Sequence, residues 1–165
     1  MLPRSDTLVS RPVNLSLLDR LAVDNAKEGR HWPVTRLESE RKLELSVQEN
    51  LEWLLNTRRI ARTLPEGFEH LRQSVFYYGL PDLTASLSSW RERQKLVEEL
   101  EWTVRLFERR LKDARVIPLD EEEPKEPKLN FRIEGALMMT PLNKPVSYYT
   151  VMDLTDRYWH VGEQS

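Results

Sequence analysis

The chain has 165 residues and no cysteine. Disulfide staples and thiolate metal sites are therefore excluded, which suits a reducing compartment. Long apolar runs are missing as well. No stretch approaches the roughly 18 residues of a spanning helix, and Met1 to Ser10 lack the apolar core of a secretory signal. A cytoplasmic protein with no direct membrane insertion is expected. Excess charge of one sign is scarce: 25 basic residues stand against 27 acidic, a net charge of -2. No overall field draws nucleic acid or an anionic membrane. Only five glycines occur, and none forms a phosphate-binding loop. There is no GxSxG elbow, and His31, His70 and His160 lie apart without HExxH or another ligand spacing. No metal, cofactor or catalytic residue is expected, and no internal repeat is present.

Charge and large aromatics, by contrast, are plentiful. Charged residues make up 32% of the chain and there are five tryptophans, so a polar surface coexists with large apolar anchors of the kind enriched at interfaces. The length fits one domain able to bury roughly two thirds of its unfolded surface. Residues 1–14 lack a period and hold Pro3 and Pro12, which predicts a flexible arm before a single domain over 15–165. Ser16 caps a short helix through Leu17, Leu18 and Leu21. The charged stretch from Asp24 to Glu44, broken by Gly29 and Pro33, reads as an irregular connection.

Three capping patterns follow. Ser46 with Glu49 precedes Val47, Leu51, Leu54 and Leu55 and predicts a helix over 47–58. Thr63 with Glu66 precedes Phe68, Leu71, Val75 and Tyr78, a helix stopped by Gly79 and Pro81, with Leu80 and Leu83 free to pack back on it. Ser89 with Glu92 opens a helix over 90–110 striped by Leu96, Leu100, Val104, Phe107 and Leu111. The period then changes. Arg115 to Leu119 reads as a short strand, Glu121 to Lys128 as a charged loop, and Leu129, Phe131, Ile133 and Leu137 as the buried face of a second strand. A turn at Thr140 to Pro145 leads into an antiparallel strand over 146–154, with a last short strand near Tyr158 to Val161. Helices first and strands last predict an α+β fold, with N-terminal helices packed on a small, mainly antiparallel C-terminal β-sheet. Trp53, Tyr77, Tyr78 and Trp102 are assigned to the core, Asn56 to a C-terminal helix cap, and Arg58 with Arg59 to solvent.

Three strings stand in fixed order: LLNTR at Leu54 to Arg58, YGLPDL at Tyr78 to Leu83 and FERRL at Phe107 to Leu111. With SLLDRL at Ser16 to Leu21, LNFRIEGAL at Leu129 to Leu137 and VSYYTVMDL at Val146 to Leu154, they resemble the baseplate wedge family shared by contractile-tailed phages and type VI secretion systems. SLLDRL and the long segment after it are similar to the secretion-system branch, TssE. The resemblance implies a structural baseplate component, not an enzyme, that binds TssF and TssG homologues, has a TssK homologue as an indirect neighbour, and templates or anchors the TssB and TssC sheath. It implies that Glu108 and Arg110 contact the wedge bundle. Arg109 stands where the family usually has proline, so the helix is expected to run further before breaking. On a continuing helix Glu108 and Arg110, two apart, would reach different partner groups and not each other. Read without the family, Glu108 instead forms exposed pairs with Arg105 or Lys112. The resemblance further implies strand addition by the sheath, with Leu129, Phe131, Ile133, Val146 and Tyr148 on the strands that supply the edge. Alternation alone equally allows both strands to be internal.

The competing readings are a peptidoglycan hydrolase and an adaptor of another assembly. A glycosidase needs two carboxylates about 5 to 10 Å apart, one with a raised pKa. Glu98, Glu99, Glu101 and Glu108 supply acids, but nothing in their surroundings singles out a pair.

Overall fold

The computed structural model describes residues 11–17, 35–60, 67, 69–82, 90–120 and 127–163. Helix α1 spans Arg36–Asn56, so much of the stretch expected to be irregular is helical. Its cap is Thr35, whose hydroxyl accepts from the Glu38 amide at 3.3 Å while the Glu38 carboxylate accepts from the Thr35 amide at 3.2 Å. This reciprocal box precedes the one read at Ser46 and Glu49, and the apolar face is continuous from Leu43 onward, so nothing stops the helix between them. Ser46 is a buried mid-helix residue. Ahead of the helix, the Val13 amide donates to Ser39 Oγ at 2.8 Å, and Leu15 is buried.

The helix expected over Phe68 to Tyr78 is replaced, within the described residues, by two 3-10 turns, Glu69–Gln73 and Val75–Tyr77. Ser74 breaks them apart. Its hydroxyl donates to the Leu71 carbonyl at 2.7 Å and accepts from the Phe76 amide at 3.3 Å, local bonds that compete with helix continuation. Thr63, Glu66, Phe68, Leu83 and Ser89 lie outside the described residues. Helix α2 spans Trp90–Phe107 and ends earlier than its stripe predicts. The amide of Glu108 makes the last helical bond, to the Val104 carbonyl at 2.8 Å, and the amide of Leu111 turns back to the Glu108 carbonyl at 3.1 Å. Leu111 belongs to a strand, not to the helical stripe.

Four strands follow: β1 Leu111–Pro118, β2 Lys128–Leu137, β3 Lys144–Asp153 and β4 Trp159–Glu163. They form one antiparallel sheet in the order β1-β2-β3-β4. The α+β arrangement of helices followed by a small antiparallel sheet is thus present. Leu129, Phe131, Ile133, Leu137, Tyr148, Met152, Trp159 and Val161 are buried together with Leu43, Val47, Leu51 and Leu55 of α1 and Leu96, Leu100 and Val104 of α2. Removing such side chains from water, at roughly 1.5–3 kcal/mol each, is the main force holding helices to sheet.

Strand order corrects the expectation of a free edge for β2 and confines it on β3 to the segment that β4 does not reach. The margins are β1 and β4, and β2 is paired on both sides. Leu129, Phe131, Ile133 and Tyr148 therefore face the core, while Val146 is half-buried against it. Both margins are occupied by helix side chains. On β4, the Asn56 amide accepts from Trp159 N at 2.9 Å and donates to Trp159 O at 2.8 Å, and Gln48 Nε2 donates to Val161 O at 2.8 Å. On β1, Arg105 Nε donates to Ala114 O at 2.7 Å and Glu101 Oε2 accepts from Val116 N at 3.1 Å. Strand β4 pairs only with Tyr148 to Met152, so Lys144 to Ser147 of β3 run past its end.

Candidate protein interface

The three strings singled out in the sequence meet in space. Past the C-terminus of α1, the Leu80 amide donates to the Thr57 carbonyl at 2.9 Å and the Arg59 amide to the Leu80 carbonyl at 2.7 Å, a short parallel bridge between LLNTR and YGLPDL. Gly79 makes that approach possible. Its φ is +96°, and a Cβ there would stand 2.2 Å from the Thr57 carbonyl oxygen. The C-cap of α1 is Thr57, whose hydroxyl donates to the Trp53 carbonyl at 2.6 Å, and not Asn56 as expected; Asn56 is the last helical residue, and its amide donates to the Glu52 carbonyl at 2.9 Å and holds Trp159. YGLPDL in turn meets FERRL: the ring of Tyr78 lies edge-on to Phe107, centroids 5.2 Å apart. Burial first and the Glu108 charge second push the Tyr78 phenol above its ordinary pKa.

Arg59 corrects the expectation of a solvated arginine pair. Arg58 is exposed, but the Arg59 side chain is only 5% exposed. Its guanidinium lies 4.0 Å from the Tyr77 ring centroid, pairs with Glu99 at 2.6 Å, and donates to the carbonyl of Gly79 at 3.0 Å and to Thr103 Oγ1 at 3.3 Å. A nearly buried cation is thereby paired and stacked, as its desolvation demands. Trp102 lies edge-on to Tyr77 at the surface of this stack. Trp53, placed in the core by its sequence position, is 75% exposed because it falls on the face of α1 opposite Leu51, Leu54 and Leu55. No local pattern marks Arg59, since its partners lie 18 to 44 residues away.

At the α2–β1 corner the structure brings Glu108 and Arg110 together. Arg110 Nε donates to Glu108 Oε1 at 2.8 Å and Nη2 to Oε2 at 2.6 Å, a bidentate pair, and the Arg110 amide also reaches Oε1 at 3.2 Å. This overturns the expectation that the two reach separate groups, and equally the exposed pairing of Glu108 with Arg105, which instead pairs with Glu101 at 2.7 Å. Helix α2 has already ended at Phe107, so the two-residue offset lies on a turn. The break needs no proline: Leu111 is drawn into register with Leu137, the Arg110 carbonyl accepts from Met138 N at 2.8 Å, and the Glu108 carboxylate captures the Arg110 amide. Glu108 is 5% exposed. Arg110 Nη1 donates to Ser46 Oγ at 2.9 Å, which docks the corner on α1. Arg109 is exposed at its tip.

Of the acids weighed for hydrolysis, Glu98 is exposed, and Glu99, Glu101 and Glu108 are each held by an arginine. Among the described residues, no group of three or more His, Asp or Glu side chains is placed to hold a metal ion, and no helix is long and apolar enough to cross a membrane.

No curated protein and no solved structure matches the chain significantly. Residues 41–142 match the family described as baseplate wedge protein gp25. That span exceeds half of the chain and contains LLNTR, YGLPDL and FERRL with the corner they build, and the chain accordingly belongs to the baseplate wedge family.

Proposed function

We propose that the chain is a structural subunit of the baseplate of a type VI secretion apparatus, a TssE-type scaffold without catalytic activity. It binds TssF and TssG homologues, with a TssK homologue as an indirect neighbour, and anchors the TssB and TssC sheath at the cytoplasmic side of the inner membrane. Family membership supports the baseplate role. The secretion-system assignment rests on SLLDRL and the long segment after it.

The observation that carries the reading is the corner at Glu108 to Arg110. Its charges are satisfied internally and its tip, Arg109, is left to solvent. A corner fixed by a bidentate pair and docked on Ser46 loses little freedom when a partner covers it, which favours binding. In this reading Glu108 positions Arg110, and Arg109 with the outer side of Arg110 meets the wedge. Sheath strand addition falls to Lys144 to Ser147 of β3, including Val146, because that segment extends beyond β4.

The test is a gentle pull-down of the tagged chain from its native host, with bound proteins identified by mass spectrometry. Wild type is expected to recover wedge and sheath homologues. Arg109→Glu is expected to lose the wedge with its thermal melt unchanged, since substitutions at exposed sites stay within about 0.5 kcal/mol. Undiminished wedge recovery by Arg109→Glu removes the corner from the interface. A clean wild-type monomer overturns the assembly role and leads to a peptidoglycan release assay.

A further inference from the structure

LLNTR contributes an exposed arginine, Arg58, just past the C-terminus of α1, where it lines a cleft together with Arg157 of the β3–β4 turn. The cleft, of about 50 Å³, opens between the C-terminus of α1, the Leu80 bridge and that turn. Its floor is apolar, from Leu80, Met152 and Trp159, and Arg58 and Arg157 stand on its rim. Both arginines are exposed, and neither makes an ion pair among the described residues. The one acid lining the cleft, Asp82, is engaged in an interaction of its own.

The backbone beneath both arginines is held in place. The backbone of Arg58 is fixed by its bridge to Leu80. Arg157 sits at a φ of +60°, a left-handed conformation that a glycine or asparagine adopts more readily and that costs an arginine of order 1–3 kcal/mol. The turn is tied to α1 by the Tyr158 hydroxyl, which donates to Glu52 Oε1 at 3.1 Å. Tyr158 and the neighbouring helix residue Trp53 are exposed. Tryptophan, tyrosine and arginine are the residues that dominate binding hot spots.

We propose that this cleft is an anchor site for an acidic side chain on a partner protein. The partner's aspartate or glutamate places its carboxylate between Arg58 and Arg157 while its backbone crosses Tyr158. Charge complementarity selects the occupant: guanidinium groups bind planar carboxylates by paired hydrogen bonds. The site is separate from the wedge corner and from the sheet step. It rests on the assembly role of the family only for the identity of the partner.

Two experiments separate the site from the partner. The purified chain is titrated with the tripeptide acetyl-Gly-Asp-Gly-amide and with its Asn counterpart while backbone amide shifts are followed by NMR. Saturable shifts at Thr57, Arg58, Leu80 and Trp159 are expected with the Asp peptide alone, at millimolar affinity, and are expected to vanish in Arg58→Ala with Arg157→Ala. No shifts, equal shifts with both peptides, or shifts that survive in the variant overturn the proposal. In the native host, Arg58→Glu with Arg157→Glu is expected to reduce recovery of one baseplate partner at least tenfold. The control, Lys112→Glu with Arg115→Glu on β1, is expected to leave recovery intact. Equal recovery by both variants overturns the anchor role. If wild type recovers no baseplate protein, the baseplate reading fails, and the peptide titration decides the cleft by itself.

Discussion

Truncating the two ends of the Glu108–Arg110 pair should give unequal losses of stability. The Glu108 side chain is 6% exposed and the Arg110 side chain 23%. Arg110→Ala removes three donors at 2.8, 2.6 and 2.9 Å, two from the Glu108 carboxylate and one from Ser46. It strands a carboxylate in the interior, and breaking a buried pair this way costs about 3 kcal/mol or more. For a chain of this length the melting temperature should fall roughly 6–12 °C. Glu108→Ala strands the guanidinium instead, which keeps its bond to Ser46 and can take water on its outer side. Its cost should be nearer 1–2 kcal/mol. The double variant should lie well below the sum of the two, with a coupling of about 1–3 kcal/mol, because the second truncation removes the charge that the first had stranded. Urea unfolding of all four proteins, checked for a constant slope, measures the cycle. Single losses under about 0.5 kcal/mol, or additive ones, would refute the claim that the pair is desolvated, and the corner would revert to two solvated charges.

Two further outcomes are expected. Gly79→Ala should lose about 3 kcal/mol, roughly 6–12 °C of melting temperature, because a Cβ would stand 2.2 Å from the Thr57 carbonyl oxygen at a φ of +96°; a melt within a degree of wild type would refute the close approach. The Tyr78 pKa is raised above 10.0 in the fold, so the unfolded chain releases that proton first and stability should decline as pH rises past about 10 and through the folded value. Tyr78→Phe should show a shallower alkaline decline, read from denaturant midpoints between pH 8 and 11, and parallel curves for the two proteins would remove Tyr78 as a contributor.

Much of the fold was legible because its signals are local. Alternation over Leu129 to Leu137 marks β2, and the stripe from Leu96 to Val104 marks α2, since each depends only on spacing within one element. The errors fall where distant groups decide. Capping residues recur in this charged chain, and Ser46 with Glu49 fits the pattern of Thr35 with Glu38, but Ser46 serves as an acceptor for Arg110 64 residues away. The break of α2 at Phe107 is set by ladder pairing to Leu137, which spacing along the helix does not contain. The candidate surface was legible through the strings themselves. Its geometry was not: Arg59 reads as a surface charge until Tyr77, Gly79, Glu99 and Thr103 are assembled around it.

The side-chain amides and charges that α1 and α2 lay along β4 and β1 act as end-stops on an otherwise extensible lattice of backbone bonds. A sheet with two bare margins can polymerise in both directions, which is how edge-to-edge aggregation begins. Among the described residues the helix side chains interrupt both margins, at Ala114 and Val116 on β1 and at Trp159 and Val161 on β4, so neither offers the unbroken row of backbone groups that such growth needs.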